Sequence, residues 1–384
     1  MKRILIVSVD MHVGGIQKSL LELLKALAEQ GEYEVSLFCC SLNGAYAKGI
    51  PPQIRVISEN KYAATSCLSA VACKTFGFKY FFLRAVFSMW SKLFSKTFPA
   101  YLLCKLIGKI GEDYDVAISY SQPIGDHAFS NLTNEIVLKC TSAKRKITFV
   151  HCDFGAYDGN TRGNRNLYKK YDRIAAVSHS VGKRFAEIMP ELAERVYTVY
   201  NFCDCNEILR LADIDPVKYT KTAFVTVARL SAEKGLLRCV ALFEKLKNEG
   251  YEAEWHIIGG GVQKQPLIDE IKKRKMEDSI FLEGEQLNPY RYVKNADYFL
   301  LPSFHEAAPM VFDEALTLGV PILTTKTLSA VELVESRNIG VVCENDEDSI
   351  YGMIREAAEN PPKLNNDIKP QRSVCLNQFA EICK

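Results

Sequence analysis

The sequence predicts an α/β protein of two successive domains, each a mainly parallel sheet with helices on both faces. Its 384 residues exceed what one domain usually spans and suit two. Short apolar, β-branched runs alternate with stretches of helical period through both halves, the pattern of βαβ units. Around 201–221 strand-like periodicity stops and polar residues crowd together, so the linker is expected there. The expected domains are therefore 1–202 and 203–365, with a C-terminal helix in 366–384 that returns to the first domain.

In the first half the pattern predicts a strand over 3–9, a turn at Asp10–Gly15 and a helix over 16–30. Further strands are expected over 33–40, 116–119, 146–150, 173–177 and 196–200. The second series runs from a strand over 223–227 through a helix over 235–248 to a strand over 254–258, which meets Gly259-Gly260-Gly261. A helix over 266–275, strands over 280–282 and 298–301, a helix over 309–318 and a strand over 321–324 complete it. Both halves read as Rossmann-like.

Composition narrows the classes. A net charge of +2 gives a nucleic-acid partner no global support. The opening apolar run is broken at Ser8 and Asp10, so a buried first strand is expected and no secretory leader. No stretch reaches the length of a membrane span. Thirteen cysteines are scattered without zinc spacing, and free thiols in a reducing cytoplasm are the expectation. One segment differs: between Lys61 and Gly111 there are eight Lys or Arg, eleven aromatic residues and no Asp or Glu. That mixture suits peripheral adsorption to an anionic membrane, on its inner face, through residues such as Lys92, Lys96 and Lys105. It equally suits a core helix pair with basic outer edges.

The chemistry concentrates in LLPSFHEAAPMVFDEALTLGVP, residues 300–321. A strand ends at Pro302, a loop carries Glu306, Pro309 suits a helix start and Gly319 a helix end. Ligands of open α/β sheets bind at the carboxyl ends of strands, where Glu306 falls. The amides of Ala308, Met310 and Val311 would sit at a positive helix terminus, and Glu314 lies inside the helix that follows. This passage resembles the E-x7-E motif of glycosyltransferase family 4, retaining enzymes with two Rossmann-like domains facing across a cleft, the GT-B fold. The resemblance implies that Glu306 contacts the donor sugar and Glu314 the nucleotide ribose. The family usually has glycine after the first glutamate, where this chain has Ala307; a positive φ there would strain an alanine.

A second motif, Val227-Ala-Arg229-Leu-Ser-Ala-Glu-Lys234-Gly235, ends the first strand of the second domain, with Ser231 as an expected helix cap. Two cations there can stabilise a departing nucleoside diphosphate. The family resemblance assigns Arg229 and Lys234 to the donor diphosphate, Gly260 to its vicinity, and backbone at Gln286 and Leu287 to the base. In the first domain, Gly14 and Gly15 follow strand one and resemble the family's phosphate-approach loop; a plain strand-to-helix turn is the other reading. His151, after a strand, resembles the family's sugar-contacting histidine; a core histidine is the alternative. Asp153, Asp158 and Arg162 follow it, where an acceptor would enter.

The resulting expectation is a metal-independent retaining hexosyltransferase without a cofactor. It would use a nucleotide-sugar, UDP-linked, and a saccharide acceptor, lipid-linked, in bacterial capsule or other surface polysaccharide synthesis. A nicotinamide oxidoreductase is disfavoured by the glycine spacing after strand one. A two-domain nucleotide-sugar epimerase and an inactive scaffold subunit remain as rivals.

Overall fold

The computed structural model describes residues 1–156, 158–360, Pro370 and 372–384. Its two units are Met1–Phe202 with Arg372–Lys384, and Cys203–Gln371. The boundary expected at 365/366 lies outside the described residues.

The N-terminal unit holds a seven-stranded sheet of order β3-β2-β1-β4-β5-β6-β7. Its strands are β1 (Lys2–Ser8), β2 (Tyr33–Cys39), β3 (Arg55–Val56), β4 (Asp113–Ser119), β5 (Ser142–Val150), β6 (Arg173–Ala176) and β7 (Val196–Thr198), all paired in parallel. Ile4, Leu5, Ile6 and Val7 are all fully buried, as a strand covered on both faces requires. The Gly15–Gln30 helix buries Leu20, Leu23, Leu24 and Leu27, a stripe of period 3.6. Gly31, at φ 66°, ends it by donating its amide to the Leu27 carbonyl.

The basic aromatic segment forms the helix pair that one of its two readings expected. Its helices Phe78–Leu93 and Thr97–Ile107 pack Phe87, Ala100, Leu103 and Ile107 into the core with Phe129 and Ile136. Their other faces are exposed. Lys96 corrects the expectation: it is buried, with Nζ donating to the Ile124 carbonyl at 2.8 Å and 3.8 Å from Glu135. Arg84 also turns inward, onto the Leu68 and Phe129 carbonyls.

The Arg372–Cys383 helix belongs to the N-terminal unit. Phe379 is fully buried, edge-on to Tyr33 with ring centroids 6.1 Å apart. Polar contacts fix it in place: Lys2 Nζ donates to the Cys383 carbonyl, and the Tyr200 amide donates to Gln378 Oε1.

The second unit holds a six-stranded parallel sheet of order β10-β9-β8-β11-β12-β13. Here β8 is Thr222–Val227, β9 Ala253–Ile258, β10 Ile280–Gly284, β11 Tyr298–Leu301, β12 Ile322–Thr325 and β13 Gly340–Cys343. Trp255 is fully buried, stacked on Phe243 at 4.9 Å, and its Nε1–H donates to Thr226 Oγ1 at 2.9 Å. A buried indole loses less stability when that N–H finds an acceptor.

The expected linker contains a helix. Cys205–Ala212 is capped by Asp204, whose carboxylate accepts from the Glu207 amide, and buries Ile208 and Ala212 against Tyr290. Asp213 then pairs with Lys294 and Asp215 with Arg291. Polar residues that read as linker are thus a cap and two ion pairs, which seat a short helix whose apolar side alone is too small to declare itself.

The C-terminal helix generates a direct test. Phe379→Ala should lower the stability of the N-terminal unit by about 3–5 kcal/mol through cavity formation. Urea unfolding followed by circular dichroism measures it, and a change below about 1 kcal/mol would mean that the helix is not part of that core.

Candidate functional site

In the second unit the chain leaves β8 toward β9 on one side, and β11 toward β12 on the other. The carboxyl ends of these two central strands form a topological switch point, where the connections splay apart and leave a crevice. Both sequence motifs sit on that edge.

After β8 the chain stays extended and is held against Gly259–Gly261. The Ala228 amide donates to Ile258, the Leu230 amide to Gly260 and the Gln263 amide to Leu230. A Cβ on Gly259 would lie 1.9 Å from the Ala228 carbonyl oxygen, and one on Gly261 2.3 Å from that of Leu230; their φ values are +146° and +152°. Glycine is required here by the approach of one backbone to another. The carbonyl of Gly260 serves this knitting, and the Glu285 carboxylate lies over its Cα.

The two motifs meet directly. Lys234 Nζ lies 2.5 Å from Glu306 Oε1, and Ser303 Oγ donates to the same oxygen at 2.7 Å. Backbone contacts reinforce the junction, since the Phe304 amide donates to the Glu233 carbonyl at 2.8 Å. Gly235, at φ +65°, lies so close to the Pro302 carbonyl that a Cβ would approach it to 2.2 Å. Arg229 is exposed on the same edge, and its guanidinium has no acidic partner among the described residues. Ser231 does not cap the Ala232–Lys234 turn as expected. Its hydroxyl lies 3.5 Å from the Arg229 carbonyl, so it closes its own loop.

Arg238 braces the loop that carries Glu306. Its guanidinium donates to the Pro302 carbonyl at 2.8 Å and to Asn345 Oδ1 at 2.6 Å, and stacks 3.9 Å from the Phe304 ring centroid. The Asn345 amide in turn donates to the Ser303 and Phe304 carbonyls. Thr325 Oγ1 donates to the Ser303 carbonyl as well. Ser303, Arg238 and Asn345 were not singled out in the sequence. Only Ser303, three residues before Glu306, carried a local signal.

Ala307 brings no strain. Positive φ outside glycine occurs at Asn131, Asp158, Asp215, Lys275 and Asn338 among the described residues, and not at Ala307. The Met310–Thr317 helix then begins, with Gly319 in the left-handed region just beyond its end. Its first-turn amides, including those of Met310 and Val311, have no acceptor within the helix; Ala308 stands just before them. Glu314 is buried in this helix. Its neighbour Asp313 is pushed above the usual carboxylate range by burial, a rise opposed by Arg337 at 3.2 Å. Gln286 and Leu287 are exposed in the turn after β10, with Gln286 Nε2 bonded to the Glu283 carbonyl.

Gly14, Gly15 and His151 belong to the N-terminal unit. There β1 and β4 form the switch point. Gly14 precedes the Gly15–Gln30 helix in extended backbone at φ 179°, and space is open around Gly15. Asp10 accepts from Gln17 Nε2 at 2.9 Å across this turn. His151 follows β5. Its Nε2 lies 2.9 Å from the Tyr120 carbonyl, which can only accept, so the hydrogen sits on Nε2 and Nδ1 keeps its lone pair. Gln122 Oε1 accepts from the backbone amides of His151 and Cys152. The ring stacks on Phe149, and burial lowers its pKa to about 4, partly opposed by the Tyr120 carbonyl. His151 is therefore a neutral imidazole at pH 7. Asp153 pairs loosely with Arg184 and accepts from the Gly155 amide.

Residues 212–373 match the family described as glycosyl transferases group 1. The N-acetylgalactosamine-N,N'-diacetylbacillosaminyl-diphospho-undecaprenol 4-alpha-N-acetylgalactosaminyltransferase of Campylobacter jejuni is 24% identical over 260 residues, 66% of this chain and 68% of that protein. The amylovoran biosynthesis glycosyltransferase AmsK of Erwinia amylovora is 34% identical over 119 residues, 29% of each chain. A glycosyltransferase of Methanocaldococcus jannaschii aligns over 165 residues at 25% identity, and this chain spans only 41% of its length. In fold, the whole chain is similar to Anabaena HepE in complex with UDP, with a TM-score of 0.63 at 15% identity, covering 100% of this chain and 97% of that one. The fold is therefore GT-B, and the family match falls on the second unit.

Two measurements test this geometry. Gly259→Ala should cost on the order of 3 kcal/mol or more, because an alanine there meets both a closed φ region and a backbone oxygen; denaturant titration would read a shifted midpoint. For His151, the unfolded ring binds a proton below about pH 6.5 while the folded one stays neutral to about pH 4. Stability should therefore fall as pH drops through that window, by up to about 3 kcal/mol. His151→Gln should flatten that part of the Tm–pH curve; parallel curves for the two proteins would refute the buried neutral imidazole.

Proposed function

We propose that this chain, built around a group 1 glycosyl transferase domain, moves a hexose from a UDP-sugar to a lipid-linked saccharide in bacterial surface-polysaccharide synthesis. The observation that carries the reading is the junction of Lys234, Glu306 and Ser303 at the β8–β11 switch point, with Arg229 exposed beside it. A nucleoside diphosphate leaving a sugar gathers negative charge, and cations fixed in advance stabilise it without reorganising. Arg229 and Lys234 would supply that charge, with no metal required. The first-turn amides at Met310 and Val311 would add a positive helix terminus.

Glu306 has two uses in this reading. One carboxylate oxygen orients Lys234, and the group as a whole is placed to accept hydrogen bonds from sugar hydroxyls. Glu314 would take the ribose hydroxyls, and the turn at Gln286 and Leu287 the base. In the N-terminal unit the neutral His151 offers Nδ1 to a hydroxyl, and Gly14 and Gly15 leave helix-terminal amides open to an anion. The acceptor would attack on the face that the diphosphate leaves, its proton passing to a donor phosphate oxygen, so the anomeric configuration is retained. Support for a UDP donor comes from the UDP held by the similar Anabaena protein, and support for a lipid carrier from the diphospho-undecaprenol in the Campylobacter relative's name.

A panel of UDP-, GDP-, ADP- and TDP-sugars tests this, with turnover measured with and without EDTA. UDP-sugar turnover should resist the chelator and fall by about 10²–10³-fold in Glu306→Gln and in Arg229→Ala, with folding verified by thermal melts. Product NMR should show the donor's anomeric configuration. Binding of no nucleotide sugar at all would sink the assignment, and inversion would sink its mechanism.

A further inference from the structure

We infer that the outward face of the Phe78–Leu93 and Thr97–Ile107 helices is a docking surface for an anionic lipid membrane. Phe78, Phe82, Met89 and Leu93 are 73%, 61%, 59% and 68% exposed. At 100° per residue these four positions fall within about 60° of the helix circumference, so they form one stripe. Trp90, Phe94 and Phe98 extend it across to the second helix, with ring centroids 4.9 and 5.2 Å apart. A contiguous apolar face of this kind on a monomer marks an interaction site.

Charge identifies the partner. Lys61, Lys74, Lys79, Lys92 and Lys105 are exposed in this segment, Lys109 is exposed but paired with Asp113 at 2.8 Å, and no Asp or Glu lies between Lys61 and Gly111. Lys105 and Lys139 flank the Tyr101 ring at 4.7 and 4.9 Å, lining a groove of about 660 Å³ with Lys109, Thr141 and Ser142. Such a groove suits a lipid phosphate headgroup. A second copy of the chain would set lysines against lysines, whereas an anionic bilayer offers phosphates to the amines and an acyl boundary to the aromatic stripe. Among the described residues no helix is long and apolar enough to cross a membrane, so the mode is adsorption in the interface.

The inference rests on the proposed lipid-linked acceptor only for its purpose, because binding is read without any sugar donor. The full chain would be sedimented with vesicles of phosphatidylcholine alone and of phosphatidylcholine with phosphatidylglycerol. It should pellet with the anionic vesicles only, and the bound fraction should fall as salt is raised. Phe82→Ser with Leu93→Ser should weaken binding at least tenfold, and so should Lys79→Gln with Lys92→Gln and Lys105→Gln. Both variants should keep the wild-type Tm and donor turnover. Absence of anionic-vesicle binding by the wild type, or unchanged binding by both folded variants, would overturn the surface. A concentration-dependent dimer in sedimentation velocity that the Phe82/Leu93 variant abolishes would overturn it in favour of self-association. Vesicle binding that persists while no nucleotide sugar turns over would leave this surface standing and remove the transferase reading instead.

Discussion

Parallel strand pairing is the constraint on which the rest of this protein depends. Parallel neighbours end at the same edge, so each sheet collects the loops after its strands on one side and covers both faces with helices. In the second unit that edge receives Arg229 and Lys234 from the end of β8, the glycine run from β9, the Gln286 turn from β10 and Glu306 from β11. Residues separated by 72 positions, Lys234 and Glu306, are thereby brought into an ion pair. The reversal of strand order between β8 and β11 then opens the crevice in which such a pair can meet a ligand.

The loops on that edge are held by backbone more than by side chains. Gly235, Gly259 and Gly261 permit contacts with carbonyl oxygens that any Cβ would forbid, and those contacts fix the loops in register. Arg238 and Asn345 finish the task for the Glu306 loop by occupying its carbonyl groups. This bracing fixes the position of the Glu306 carboxylate, as the role proposed for it requires. Ala307 is tolerated because the loop bends without a positive φ at that position.

The N-terminal unit shows a different division of labour. Its sheet core is conventional, yet the Phe78–Leu93 and Thr97–Ile107 helices bury one apolar face and expose another. Phe87, Leu103 and Ile107 are among the positions that anchor them in the core. The aromatic residues left outside therefore add nothing to that core; exposing them has a solubility cost that a monomer rarely sustains without a partner.

Much of this was legible in the sequence, because two-sheet α/β architecture follows from alternating strand and helix periods, and short motifs mark the strand ends. The strands from β8 to β12, the helix start at Pro309, its end at Gly319 and the motif residues Arg229, Lys234, Glu306 and Glu314 could all be read from local pattern. The Cys205–Ala212 helix could not, since its signal is a few apolar residues among capping and ion-paired polar ones. Nor could the inward turn of Lys96 and Arg84, because a lysine's burial depends on which carbonyls and carboxylates surround it in three dimensions. The sequence by itself determined which residues stand at strand ends, for that depends on neighbours along the chain. Only the tertiary structure decided that Lys234 meets Glu306, that Arg238 braces its loop and that His151 is neutral, because these are set by distances and desolvation between segments remote in sequence.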